Sequence, residues 1–102
     1  MRTLNYNFEA DTALRRSAHV GVVASGDLEI LVDSEPHGNA ARVRVRTSVD
    51  GFDAAWEKVL RRFFSRERLM GRWEINDFGA TPAVVSLRLQ QAAEAATRGE
   101  SQ

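Results

Sequence analysis

Residues 20–30, V-G-V-V-A-S-G-D-L-E-I, read as two apolar arms around one small polar turn. Val20, Val22 and Ala24 share one phase, and Leu28, Ile30 and Val32 share another. Side chains opposite each other across a hairpin lie on the same side of the sheet. A three-residue loop, Ser25-Gly26-Asp27, meets that condition: it sets Ala24 against Leu28, Val22 against Ile30 and Val20 against Val32. A two-residue loop would set valines against Glu29 or Asp27, because a slip of one residue turns every side chain over. The stretch therefore predicts a hairpin with the Ser25 hydroxyl exposed at its tip. A serine in such a place as a rule does no more than turn the chain.

Outward from the hairpin, the periodicity changes twice. Towards the N-terminus, Leu4, Tyr6 and Phe8 alternate with Asn5, Asn7 and Glu9, which predicts a half-buried strand, and residues 10–17 read as a connection. Towards the C-terminus, residues 34–39 form a loop by composition, and Val43, Val45 and Thr47 alternate with Arg42, Arg44 and Arg46 in a strand over 42–49. From Phe52 the period becomes helical, through Ala55, Trp56, Val59, Leu60, Phe63 and Phe64, with Gly71 read as the exit. Trp73 and Ile75 mark a short strand. Thr81 followed by Pro82 is a helix start, a hydroxyl cap before a proline at the first helical position. Val84, Val85, Leu89, Ala92 and Ala96 stripe the helix that follows. The order is β-β-β-β-α-β-α. It predicts an α+β fold, an antiparallel β-sheet of four to five strands with two helices packed on one face. Residues 1–97 are expected to form a single domain and 98–102 to fray.

Size and composition bound the rest. The 102 residues suffice for one small domain. No apolar run approaches the ~20 residues of a membrane helix. The first residues lack the apolar core of a secretory signal, so a cytoplasmic protein is expected. Cysteine is absent, so any thiol chemistry must use sulfur from another source. The net charge is zero, from 14 basic and 14 acidic residues, which argues against general binding to a phosphate backbone. Arginine supplies 13 of the basic residues, a bias that codon usage accounts for more readily than chemistry does.

The residues that could carry chemistry have plain structural readings. His19 and His37 are the only histidines, and without cysteine or an H-x-x-x-H spacing they make a poor metal site; a strand-end residue and a loop residue are expected instead. Asp77-Phe78-Gly79 spells a magnesium motif of kinases but lacks every companion motif, and reads as a strand exit. Arg42, Arg44 and Arg46 share a strand face, with Glu29 and Asp33 expected beside them as a solvated ladder of charges. No Ser-His-Asp spacing and no paired carboxylates stand out, so no catalytic residue and no metal ligand is assigned.

Four features together resemble a known family: S-G-D-L-E-I-L at 25–31, T-S-V-D-G at 47–51, Trp56 and Phe63, and I-N-D-F-G-A-T-P-A-V-V-S-L-R-L-Q-Q-A at 75–92. The chain resembles the acyl carrier (delta) subunit of biotin-independent malonate decarboxylase over nearly its whole length. It departs from that pattern mildly, with Ala83 where glycine is usual and Asp50 where asparagine is frequent. The resemblance implies that Ser25 carries a covalent prosthetic group, 2'-(5''-phosphoribosyl)-3'-dephospho-CoA, through a phosphodiester, with Gly26 and Asp27 completing the attachment turn. It also implies a non-catalytic subunit that bears acetyl and malonyl thioesters. The implied partners are the transferase and decarboxylase subunits and a prosthetic-group transferase, with no nucleic acid and no membrane. The D-S-L helix-start motif of four-helix acyl carrier proteins is missing, in keeping with the β-rich reading.

Two other readings remain open at this point. The acyl carrier subunit of citrate lyase uses the same kind of arm, although the S-G-D-L-E and D-F-G-A-T-P segments favour malonate decarboxylase. A small nucleic-acid-binding domain would use the Arg42, Arg44 and Arg46 face, but it would need aromatic residues there for stacking, and that strand offers none.

Overall fold

The computed structural model describes residues 1–34 and 38–98. The expected roles of His37 and of the tail from residue 99 onward lie outside them. The elements are β1 (Arg2–Glu9), β2 (Ala18–Gly21), β3 (Leu28–Asp33), β4 (Ala40–Thr47), α1 (Asp53–Arg66), β5 (Gly71–Asp77) and α2 (Pro82–Thr97). The five strands form one sheet in the order β1-β4-β5-β3-β2. Each strand alternates as its sequence does. Val43, Val45, Trp73, Ile75, Leu28 and Ile30 are buried on one face, and Arg42, Arg44, Arg46 and Arg72 are exposed on the other. Both helices cover the buried face.

The sheet is antiparallel except for one pair. β4 and β5 run parallel, with Val43 beside Trp73 and Val45 beside Ile75. The cause is α1: a strand that enters a helix on one face of the sheet and returns to that sheet comes back in the same direction. β5 also pairs with β3, so it lies between the arginine strand and the strand of Glu29 and Asp33. The expected ladder between those two strands is therefore not formed. Arg44 stands 3.8 Å from Glu74, Asp33 stands 3.6 Å from Arg72, and Glu29 faces His19 and Asn76.

The hairpin keeps the expected phase and shifts its register by two residues. Val20 lies against Ile30 and Ala18 against Val32, and the Val22 N–H donates to the Leu28 carbonyl at 3.1 Å. The three-residue loop is thus replaced by a longer one, and Val22 and Val23 leave the sheet with more than half of their surface exposed (53% and 58%). The cause sits at Gly21, where φ is +82° and a Cβ would stand 2.1 Å from the Leu28 carbonyl oxygen. The backbone turns out of the strand there, so Ala24 cannot pair with Leu28.

The first helix ends earlier than Gly71. The Glu67 N–H closes its last turn on the Phe63 carbonyl, and Glu67 itself is extended. Gly71 instead opens β5, where the Leu14 side chain and the Asp33 carbonyl crowd the place a Cβ would take. The second helix starts as expected: the Thr81 hydroxyl accepts the Val84 N–H at 3.3 Å, and Pro82 is the first helical residue.

The core is centred on Trp73. Phe63 and Phe64 meet it edge-on at ring separations of 5.8 and 5.0 Å, and Phe8 stacks on Phe64 at 5.2 Å. Trp56, Val85 and Leu89 complete the helix side of the same cluster. The Trp73 Nε1 has no hydrogen-bond partner among the described residues, a cost of about 1–3 kcal/mol that the surrounding apolar burial outweighs.

Candidate functional site: a clamped serine turn at one end of the sheet

The Asp27 N–H donates to the Ala24 carbonyl at 3.0 Å, which makes Ser25 and Gly26 the central pair of a tight turn, with Gly26 at φ +79°. That positive φ at the third position is the type II geometry that glycine adopts without strain. Ser25 is exposed, as expected for the hairpin tip. Nothing lies within 4 Å of the place where a Gly26 Cβ would stand, so that side of the turn is open.

The turn is exposed without being loose. The Gly26 N–H donates to the Phe78 carbonyl at 2.7 Å, and the Phe78 N–H donates back to the Asp27 carbonyl at 3.0 Å. These two bonds continue the β3–β5 ladder beyond its last pair, Leu28 with Asp77. The Asp27 carboxylate accepts three further bonds. The Leu28 N–H reaches it at 2.7 Å, and the Arg88 guanidinium grips it with Nε at 3.1 Å and Nη2 at 2.7 Å. The Arg88 hydrogen bonds, with the Leu28 N–H after them, hold the Asp27 carboxyl below the usual carboxylate range. The same contact raises the Arg88 guanidinium above its ordinary value.

Arg88 is the site residue that sequence reasoning missed. It stands in the quoted S-L-R-L segment, but a pairing across 61 positions leaves no trace in local periodicity.

A second carboxylate, this one buried, ties in the remaining segment. Asp77, 2% exposed, accepts the Ala80 N–H at 3.0 Å and the Thr47 hydroxyl at 2.8 Å. The Thr47 oxygen in turn accepts the Val49 N–H at 3.1 Å. The segments at 25–31, 47–51 and 75–82, far apart in the chain, thus meet at one end of the sheet. Asp77-Phe78-Gly79 serves as the clasp at a strand exit, with Gly79 directly behind the turn.

Beside this turn an apolar groove of about 370 Å³ opens between the starts of the two helices. Val49, Phe52, Ala55, Val59, Pro82 and Val85 form much of its wall, and Gly79 and Asp77 form the side towards the turn. Phe52 leaves 55% of its surface exposed at the head of α1. Elsewhere, His19 lies in β2 with its Nε2 2.9 Å from Glu29. Among the described residues no three His, Cys, Asp or Glu side chains gather as a metal would require. No helix there is long and apolar enough to cross a membrane.

The chain is similar to known proteins over the stretch that holds these segments. The family model described as "Malonate decarboxylase delta subunit (MdcD)" matches residues 15–96. The "Malonate decarboxylase acyl carrier protein" of Stenotrophomonas maltophilia (strain K279a) is 48% identical over 98% of either chain. The protein of the same name from Xanthomonas campestris pv. campestris (strain B100) is 49% identical over 90% of this chain and 91% of its own. Among solved structures, a chain of a Pseudomonas malonate decarboxylase hetero-tetramer in complex with malonate superimposes with a TM-score of 0.84 at 39% identity, over 93% of this chain and 98% of that one. The match spans the Ser25 turn, its clasp and Arg88 alike: the chain belongs to the malonate decarboxylase delta subunit family.

Proposed function

We propose that this chain is the acyl carrier subunit of a biotin-independent malonate decarboxylase, and that Ser25 is the attachment point of 2'-(5''-phosphoribosyl)-3'-dephospho-CoA. The observation that carries the reading is the clamped turn, an exposed primary hydroxyl on backbone fastened from behind by Phe78 and Arg88. The residues fit the group. A phosphodiester needs a hydroxyl that can reach phosphorus, and Ser25 offers one with open space over Gly26. The Asp27 carboxylate, which would repel a phosphate, is neutralised by Arg88.

When bound, the group supplies the thiol that this cysteine-free chain lacks, and as a thioester malonate can lose carbon dioxide with the developing charge drawn onto a neutral carbonyl. The chain's own part is mechanical. Ser25 anchors the tether, and a tether raises the effective concentration of its cargo at every active site within reach. Acyl exchange and decarboxylation belong to companion subunits, consistent with the hetero-tetramer that holds the similar chain.

The test is co-expression with the maturation enzymes, followed by intact mass and peptide mapping. Wild type should gain the mass of the group on the peptide that contains Ser25. Ser25→Ala should gain none, while Ser17→Ala, Ser48→Ala and Ser86→Ala should be modified fully. A mass gain that persists in Ser25→Ala would move the attachment elsewhere. No gain in wild type, with the enzymes active on a known carrier, would remove the carrier reading.

A further inference from the structure

The groove between the heads of α1 and α2 has no part in the attachment chemistry, yet it begins where the turn ends. Gly79 forms part of its wall, and the place a Gly79 Cβ would occupy lies 3.9 Å from the Gly26 nitrogen, one residue from the Ser25 anchor. Its walls are almost wholly apolar. The one charged group among its lining residues, Asp77, already spends its two carboxylate oxygens on Ala80 and Thr47. An anion entering the groove would find no counter-charge and would lose its water. Phosphates and a malonyl carboxylate are therefore excluded, and an uncharged planar group is admitted with its apolar face inward and its polar edge left in solvent.

At about 370 Å³ the space is near the lower end for small-molecule pockets, enough for one ring system and too small for a whole arm. Phe52 presents a largely exposed aromatic ring at its edge, a surface that would otherwise stand in water without a packing role.

Resting on the reading of Ser25 as the anchor, we propose that this groove binds the purine base of the Ser25-linked group. The base lies against Phe52 and the valine walls, and the charged remainder stays in solvent. The tether makes that binding intramolecular, so even a weak contact is occupied. Holding the base near its anchor fixes the first section of the arm and leaves the thioester end to sweep between active sites.

The test compares apo and fully modified chains by methyl-labelled NMR, after intact mass has established modification at Ser25. The base protons should show cross-relaxation to the methyls of Val49, Val59 and Val85, and those methyls should shift between apo and modified chains. Ala55→Phe fills the groove from an exposed helix position; it should be modified fully and lose both signals. Phe52→Ala, which removes an exposed ring, should reduce the shifts at least twofold and serves if Ala55→Phe does not fold. A fully modified chain whose groove methyls match the apo spectrum would overturn the proposal and leave Ser25 as the anchor. Contacts from the pantetheine methyls in place of the base would overturn it too. A chain that is never modified at Ser25 would remove the proposal together with the reading beneath it.

Discussion

At the scale of single residues, the site divides into a hydroxyl and the groups that hold it. Among the described residues the Ser25 side chain makes no hydrogen bond, so Ser25→Ala should unfold within about 0.5 kcal/mol of wild type in urea. A larger loss would mean that the serine is structural. Asp27 and Arg88 behave differently. The carboxyl of Asp27 is depressed in the folded chain, so its contribution is complete above the unfolded value of about 3.9 and is lost as pH falls through the lower folded value. Below pH 4, wild type should lose stability more steeply than Arg88→Leu, in which the Asp27 carboxyl returns towards its ordinary range. Carbon-detected titration of Asp27 in both proteins checks the shift, and equal midpoints would show that Arg88 does not set it. Asp11 and Asp53 are also depressed, by Arg68 and Arg2, so acid unfolding must be read as the difference between the two proteins. Ser25, Gly26 and Asp27 were legible because small polar residues between apolar arms spell a turn. Arg88 was not, since nothing local marks an arginine that pairs across the fold.

At the scale of elements, the hairpin shows what periodicity can and cannot decide. The alternation of Val20, Ile30 and Val32 excludes a slip of one residue, because that would turn the arms over. A slip of two leaves every side chain on its own face, so the pattern cannot see it, and the observed register differs by that amount. Gly21 makes the choice, through a close approach that becomes visible only when β3 is in place. Gly21→Ala should cost about 2 kcal/mol or more, from the left-handed backbone and the collision with the Leu28 carbonyl. Urea denaturation measures it, and a cost under about 0.5 kcal/mol would show that the strand end relaxes freely. The helix starts were easier to read. Thr81 and Pro82 act within their own first turn, so the sequence signal and the structure are the same few atoms.

At the scale of the whole molecule, the covered face of the sheet and the aromatic cluster behave as one unit. Trp56, 7% exposed, spans from α1 towards both the core and the groove. Trp56→Ala should cost about 3–5 kcal/mol, against a total of about 5–15 for a natural domain. A mutant that melts like wild type would show that α1 contributes little to the core. The element order, the two-helix layer and the core residues were legible because they follow from period and length. The strand order β1-β4-β5-β3-β2 was not. It depends on which distant strands meet, and the parallel β4–β5 pair is imposed by a helix whose return path no local pattern records.

The clasp on the serine turn also sets an order of events. Ser25 leaves the ribosome early, but the backbone that fastens its turn is Phe78 and the cation that grips it is Arg88. A nascent chain that has not yet reached its second helix has the hydroxyl and lacks the shape around it. On the proposed reading of Ser25 as the anchor, a modifying enzyme that recognises the clamped turn would act only on chains that have reached α2, so the fold itself would decide when the hydroxyl is ready for loading.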